Sequence, residues 1–80
     1  MNRGEVMDAV QAIFREQLRD PSLELRPEME TGALEGWDSF ANVEILLACE
    51  ARWGFTFAVA EIDGIRSVGD LARTIEAKLG

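Results

Sequence analysis

Only one segment of this chain alternates in the manner of a strand, Trp53-Gly54-Phe55-Thr56-Phe57-Ala58-Val59. A lone strand leaves its backbone N–H and C=O groups without a ladder to join, and buried backbone groups are almost always paired. The segment is therefore expected to be an extended connector pinned to the core by its aromatics, and the fold must be built from helices. Gly54 stands where a left-handed helix terminator belongs.

The rest of the chain supplies those helices. From Asn2 to about Arg19, Val6, Val10, Ile13, Phe14 and Leu18 recur at the spacing of one helical face. Asn2 and Glu5 form a capping box, Asp8 adds negative charge near the positive end, and Asp20-Pro21 supplies the stop. A second helix is expected from Ser39 to Trp53, with Asp38 as its N-cap and Phe40, Val43, Leu46 and Leu47 facing inward. Ala41, Ile45, Ala48 and Cys49 continue the apolar character around that cylinder, a surplus that reads as part of a docking surface. Glu61 to Ile65 makes a short helical piece, and a capping box from Ser67 to Asp70 opens a last helix with Val68, Leu71, Ala72, Ile75 and Leu79 inward and Lys78 at its negative end.

Between Asp20 and Asp38, Pro21, Pro27, Gly32 and Gly36 interrupt leucines spaced for neither helix nor strand. This is one long loop, and a loop of this length packs through its own apolar side chains, here Leu25, Met29 and Leu34. The expected fold is all-α, a small four-helix bundle of three longer helices, one short helix and a long first loop. The 80 residues make a single domain, 1–80, burying only ~60 % of the surface its unfolded form exposes.

Charge and chemistry narrow the function. Fifteen acidic against eight basic residues leave a net charge of −7, which argues against nucleic acid as a partner, because that binding rests on Lys and Arg replacing counterions. Basic protein surfaces are the expected partners. A single cysteine, Cys49, allows no internal disulfide, and no Cys/His cluster offers a zinc site. With no histidine and no tyrosine, the inventory of proton-handling groups is too thin for an autonomous catalyst near neutral pH. Met1 to Glu5 runs into an amphipathic pattern without an apolar leader, so the expectation is a cytoplasmic, monomeric protein away from membranes.

Gly36-Trp37-Asp38-Ser39-Phe40 lies at mid-chain between a long loop and a helix start. In that setting it resembles the Gly-x-Asp-Ser-Leu motif of acyl carrier proteins, and the resemblance extends along nearly the whole chain: helix one, the loop, Val43-Glu44 one turn on, Glu50 before an aromatic-Gly pair, and Ser67-Val68 at the last helix. The resemblance implies that Ser39 is esterified from coenzyme A by a phosphopantetheinyl transferase, and that the resulting phosphopantetheine arm carries an acyl group as a thioester. Asp38 is then the motif's cap. An acyl- or aminoacyl-loading enzyme and downstream synthases or transferases become the partners, contacting Trp37, Phe40, Ala41, Glu44 and Ile45. A phosphodiester on a residue at a helix N-terminus also fits the unsatisfied amides and the positive dipole end there.

Some positions depart from the motif's setting. Phe40 replaces the family's leucine, Ala58 replaces a common proline, and Ala41, Asn42, Ala51 and Arg52 stand where more acids are usual. A stand-alone carrier of a secondary-metabolite or other dedicated pathway fits best; a fatty-acid synthesis carrier, or an acidic interaction module whose serine stays unmodified, are the alternatives. If Phe40, Leu47, Phe57, Ile65 and Leu71 fill the space between the second and last helices, cargo stays outside the core, as suits a short or polar acyl or aminoacyl group.

Overall fold

Asn2 opens the first helix by both halves of a capping box: its Oδ1 accepts from the Glu5 amide at 2.9 Å while the Glu5 carboxylate accepts from the Asn2 amide. The computed structural model describes residues 2–80 and contains four helices, α1 (Arg3–Gln17), α2 (Ser39–Trp53), α3 (Val59–Gly64) and α4 (Val68–Leu79), the expected all-α bundle. Helix α1 ends before Asp20-Pro21. Arg19 takes the left-handed conformation usual for glycine, φ 55°, and the Asp20 amide donates to the Arg15 carbonyl at 3.0 Å, the 6→1 bond of a Schellman ending.

Packing follows the α1 and α4 patterns. Val6, Val10 and Phe14 of α1 and Val68, Leu71, Ala72 and Ile75 of α4 are buried, and α1 lies against both α2 and α4. Arg3 pairs with Glu76 to tie α1 to α4 at the surface. Serine 67 caps α4 through its hydroxyl, which accepts from Asp70 N at 3.1 Å, but the Asp70 carboxylate reaches past Ser67 to the Arg66 amide. The expected reciprocal box is therefore stretched by one residue.

The long loop, residues 19–38, is ordered by polar anchors as well as by Leu25, Met29 and Leu34, which pack half-buried on the core. Gln11 Oε1 accepts from the Leu25 amide at 2.8 Å, and Arg15 Nε donates to the Leu23 carbonyl. Farther on, the loop crosses the start of α4: Val68 N donates to Met29 O at 2.8 Å and Gly69 N to Pro27 O at 2.9 Å, giving first-turn amides their partners. A Cβ at residue 69 would meet Pro27 O at 3.0 Å, so this close crossing favours glycine.

Residues 54–58 form the connector, one residue shorter at its start than expected because Trp53 closes α2, and there is no strand among the described residues. Gly54 ends α2 at φ 73°. Phe57 is buried, Phe55 meets it edge-on at 5.1 Å, and Trp53 stacks on Phe55. Glu50 Oε2 satisfies the Phe57 amide at 2.7 Å. Helix α3 begins at Val59, two residues before the expected Glu61, because Glu61 Oε1 reaches back to the Ala58 amide at 2.7 Å and starts the turn there. No residue of α3 is buried.

Candidate attachment site and partner surface

Helix α2 is rotated relative to the sequence expectation. Its buried residues are Ile45, Leu46 and Cys49, whereas Phe40, Val43 and Leu47 are 74 %, 55 % and 57 % exposed. The residues read as a surplus are thus the core face, and three of the four read as the inward stripe form an apolar outer face. Both sets satisfy helical spacing; what decides is the arc that α1 and the connector leave open. Cys49 lies in that interior, where burial first and the neighbouring Glu50 second push its thiol up to about 12, so it is an inert core group.

Ser39 is the first residue of α2 and is exposed. Asp38 before it is an extended N-cap whose Oδ1 accepts from Ala41 N at 2.9 Å, while its carbonyl accepts from Asn42 N. The Ser39 and Phe40 amides lie ahead of the first intrahelical bond and so remain available to an anion. By helical spacing, Ser39 stands one turn above Val43 and two above Leu47, on the same outer face as Phe40. A phosphodiester at this residue fits: Ser39 is exposed, it stands at the helix end where first-turn amides are unpaired, and no buried side chain must move.

Trp37 does not join that face. It is 4 % exposed, meets Phe14 of α1 edge-on at 4.9 Å between centroids, and donates from Nε1 to Asn42 Oδ1 at 3.1 Å. Ile45 is fully buried. The expectation that Trp37 and Ile45 touch a partner is corrected by this burial, because neither side chain reaches the surface. Of the remaining three, Phe40 and Glu44 are exposed and Ala41 is half-buried.

Sequence reasoning missed the outer residues Val43, Leu47, Val59 and Ile62, all exposed large apolar side chains. Val43, Leu47 and Ile62 converge on a cleft of about 150 Å³ between α2 and α3, closed below by Leu46 and Phe57. The expected filling of this region by Phe40 and Leu47 is not what the side chains do. The signal was present in α2, where Phe40, Val43 and Leu47 repeat at i, i+3 and i+7, but such a repeat does not say which side faces inward.

What fold and site define is a small helical bundle with an exposed serine at a helix start. No protein-family model matches the chain. The acyl carrier protein of Prochlorococcus marinus (strain MIT 9515) is 32 % identical over 80 residues, 100 % of both chains. That of Helicobacter pylori (strain ATCC 700392 / 26695) is 31 % identical over 71 residues, 89 % of this chain and 91 % of the relative. The solution NMR structure of holo acyl carrier protein from Geobacter metallireducens matches with a TM-score of 0.86 at 31 % identity, over 92 % of this chain and 85 % of that one. The chain belongs to the acyl carrier protein family. It is a non-enzymatic carrier of acyl groups whose prosthetic group is a covalently attached phosphopantetheine, and its partners include a phosphopantetheinyl transferase and acyl-handling enzymes. Among the described residues, no helix is long and apolar enough to cross a membrane.

Proposed function

We propose that Ser39 is the attachment point of the phosphopantetheine arm and that residues 1–80 act as one carrier domain, a cytoplasmic monomer serving a dedicated biosynthetic pathway. The observation that carries this reading is the exposed Ser39 hydroxyl at the first position of α2, preceded by the Asp38 cap, inside Gly36-Trp37-Asp38-Ser39-Phe40. Ser39 Oγ forms a bond to the pantetheine-bearing phosphorus of coenzyme A as the phosphoanhydride bond breaks; adenosine 3′,5′-bisphosphate leaves, and the serine proton passes to a base on the transferase. Asp38 holds the first turn through its bond to the Ala41 amide, and as the anion next in sequence to Ser39 it is read as helping the transferase hold a divalent cation. The bound arm supplies a terminal thiol on which the acyl or aminoacyl cargo is held as a thioester.

Partner enzymes are read as docking on the outer face of α2 and on α3, through Phe40, Val43, Leu47, Val59 and Ile62 with Glu44 and Ala41 beside them. An exposed apolar set of this kind on a small acidic protein marks an interaction surface. The acids of this face, Glu44 on α2 with Glu61 and Asp63 on α3, stand among exposed apolar neighbours, which favours a dedicated partner over one that docks by charge alone and supports the pathway assignment. The cleft between α2 and α3 favours a second reading, a fatty-acid synthesis carrier whose acyl chain enters it.

Intact mass after incubation with coenzyme A and a promiscuous phosphopantetheinyl transferase tests the assignment. The wild type gains one arm and Ser39→Ala, still folded, gains none. A wild type refused by several transferases identifies an unmodified interaction module instead.

A further inference from the structure

Four restraints converge on the residues just before Ser39, and together they join the attachment site to two helices. The Trp37 ring packs edge-on against Phe14 of α1 at 4.9 Å, and its Nε1 donates to Asn42 Oδ1 of α2 at 3.1 Å. The Trp37 amide donates to the Leu34 carbonyl at 3.1 Å, closing the turn that carries Gly36 at φ 84°. A Cβ at residue 36 would lie 3.9 Å from the Leu18 Cδ2, so the loop runs against the end of α1. The apolar ring alone would fill the site; the hydrogen bond adds a fixed rotation of the indole and a fixed distance between the residue two before Ser39 and the residue three after it.

We infer that Trp37 and Asn42 are positioning residues for the modification of Ser39: their indole–amide hydrogen bond clamps the loop to α2 and holds the hydroxyl in the orientation a transferase requires. The inference rests on Ser39 being the attachment point. An oriented nucleophile reacts faster because the ordering is done before the encounter, and a loop that samples other orientations is competent only for a fraction of the time. Trp37 is buried away from the exposed α2–α3 face, whereas Asn42 is half-buried and lines the cleft on that face, with its Oδ1 engaged by the indole. Loss of the clamp lowers the rate of transfer within the complex, and Trp37→Phe, which leaves the α2–α3 face untouched, is the variant that shows this with docking intact.

The experiment compares loading kinetics of the full chain with coenzyme A and one phosphopantetheinyl transferase. Trp37→Phe keeps an aromatic ring against Phe14 and removes the donor; Asn42→Ala removes the acceptor. Each is expected to lower kcat about fivefold, the factor that a net hydrogen bond of about 1 kcal/mol supplies, with KM for the carrier changed less than about twofold. The double variant falls no further than either single one, since both remove the same bond. Asn42→Asp, which keeps an acceptor oxygen, restores the rate. The Trp37 indole N–H, identified by its loss in Trp37→Phe, exchanges slowly with solvent deuterium in the wild type and fast in Asn42→Ala. Single variants that load at the wild-type kcat, or that raise KM alone, overturn the clamp while Ser39 stands. A wild type that takes no arm overturns the attachment reading itself, and the clamp's role with it.

Discussion

Helices α1 and α3 flank the same helix, α2, on very different terms. Helix α1 presents Val6, Val10 and Phe14 without measurable exposure, has Trp37 edge-on against Phe14, and is tied to the loop through Gln11 and Arg15. Helix α3 buries no residue; it leaves Val59 75 % exposed, adjoins a cleft, and is joined to α4 by the Lys78–Glu61 pair. One side of α2 is structural core and the other is a surface with room in it. A carrier has to remain folded while its cargo and partners change, and this division keeps the changing contacts away from the packing that sustains the fold.

The largest effect that can break this comparison is on stability. Phe14→Ala should cost about 3–5 kcal/mol, the range for deleting a fully buried aromatic ring, a large part of what an 80-residue domain has. Val59→Ala should stay within about 0.5 kcal/mol, as exposed substitutions do. Urea unfolding followed by circular dichroism measures both. Equal losses would mean that α3 is as much a part of the core as α1.

Next in size is the contrast between two residues of α2 itself. Ile45→Asp places an unpaired charge at a fully buried position and should unfold the chain. Leu47→Asp should leave the thermal midpoint nearly unchanged while lowering turnover by a cognate acyl-handling enzyme about tenfold, since an apolar anchor lost from an interface centre is worth more than 1 kcal/mol. Raising the salt should reduce that turnover only modestly, because apolar burial outweighs the screened charge of Glu44 and the α3 acids. A Leu47→Asp variant turned over at the wild-type rate would take the partner surface elsewhere.

Much of this division was legible in the sequence. Asn2, Asp38 and Ser67 mark helix starts because each side chain has one obvious use there, and Gly54 marks an end for the same reason. The motif around Ser39 was legible because it sits at such a start. The rotation of α2 was not, since its fifteen residues are apolar on both sides and periodicity alone gives equal support to Phe40-Val43-Leu47 and to Ala41-Ile45-Cys49. Tertiary contacts decide it, including the Trp37–Asn42 bond, which joins residues of unremarkable spacing. The start of α3 was hidden because Ala58 has no capping oxygen and only the returning Glu61 carboxylate marks the turn.

The cleft gives a third test, on the α3 side alone. The cleft, about 150 Å³ and lined mostly by apolar side chains with Asn42 and Glu50 among them, has room for roughly one benzene-sized group, so about six carbons can enter. Hexanoyl loaded on the arm should raise the thermal midpoint by roughly 4–8 °C over the acetyl form, the shift for about 1 kcal/mol in a domain this small, and octanoyl should add little more. Amide shifts should move at Leu46, Phe57 and Ile62 and stay still at Val10 and Phe14. Identical midpoints for all three forms would mean that cargo stays outside, as the sequence pattern alone suggested.

The smallest expected effect concerns how α3 is held. Its hydrogen bond to Lys78 is the first cause, and that to the Ala58 amide the second, of a Glu61 carboxyl held below its usual 4.5. Asp70 is lowered chiefly by the Arg66 amide, with Arg73 adding to it. A carboxyl with a depressed folded-state pKa contributes stability above its unfolded value and loses it as pH falls through the folded one, so both contributions should be complete at pH 7 and fade below about pH 4. Exposure and salt keep them small. Glu61→Gln should lower the midpoint by about 1–3 °C at pH 7 and by nothing measurable at pH 2. Because Glu61 both starts α3 and pairs with Lys78, Lys78→Met separates the two roles: it removes the cross-helix tie and leaves the Ala58 bond. Faster amide exchange confined to α3 in Lys78→Met, with α1 unchanged, would show that α3 moves on its own. Exchange quickened equally in both helices would erase the distinction between the two flanks of α2.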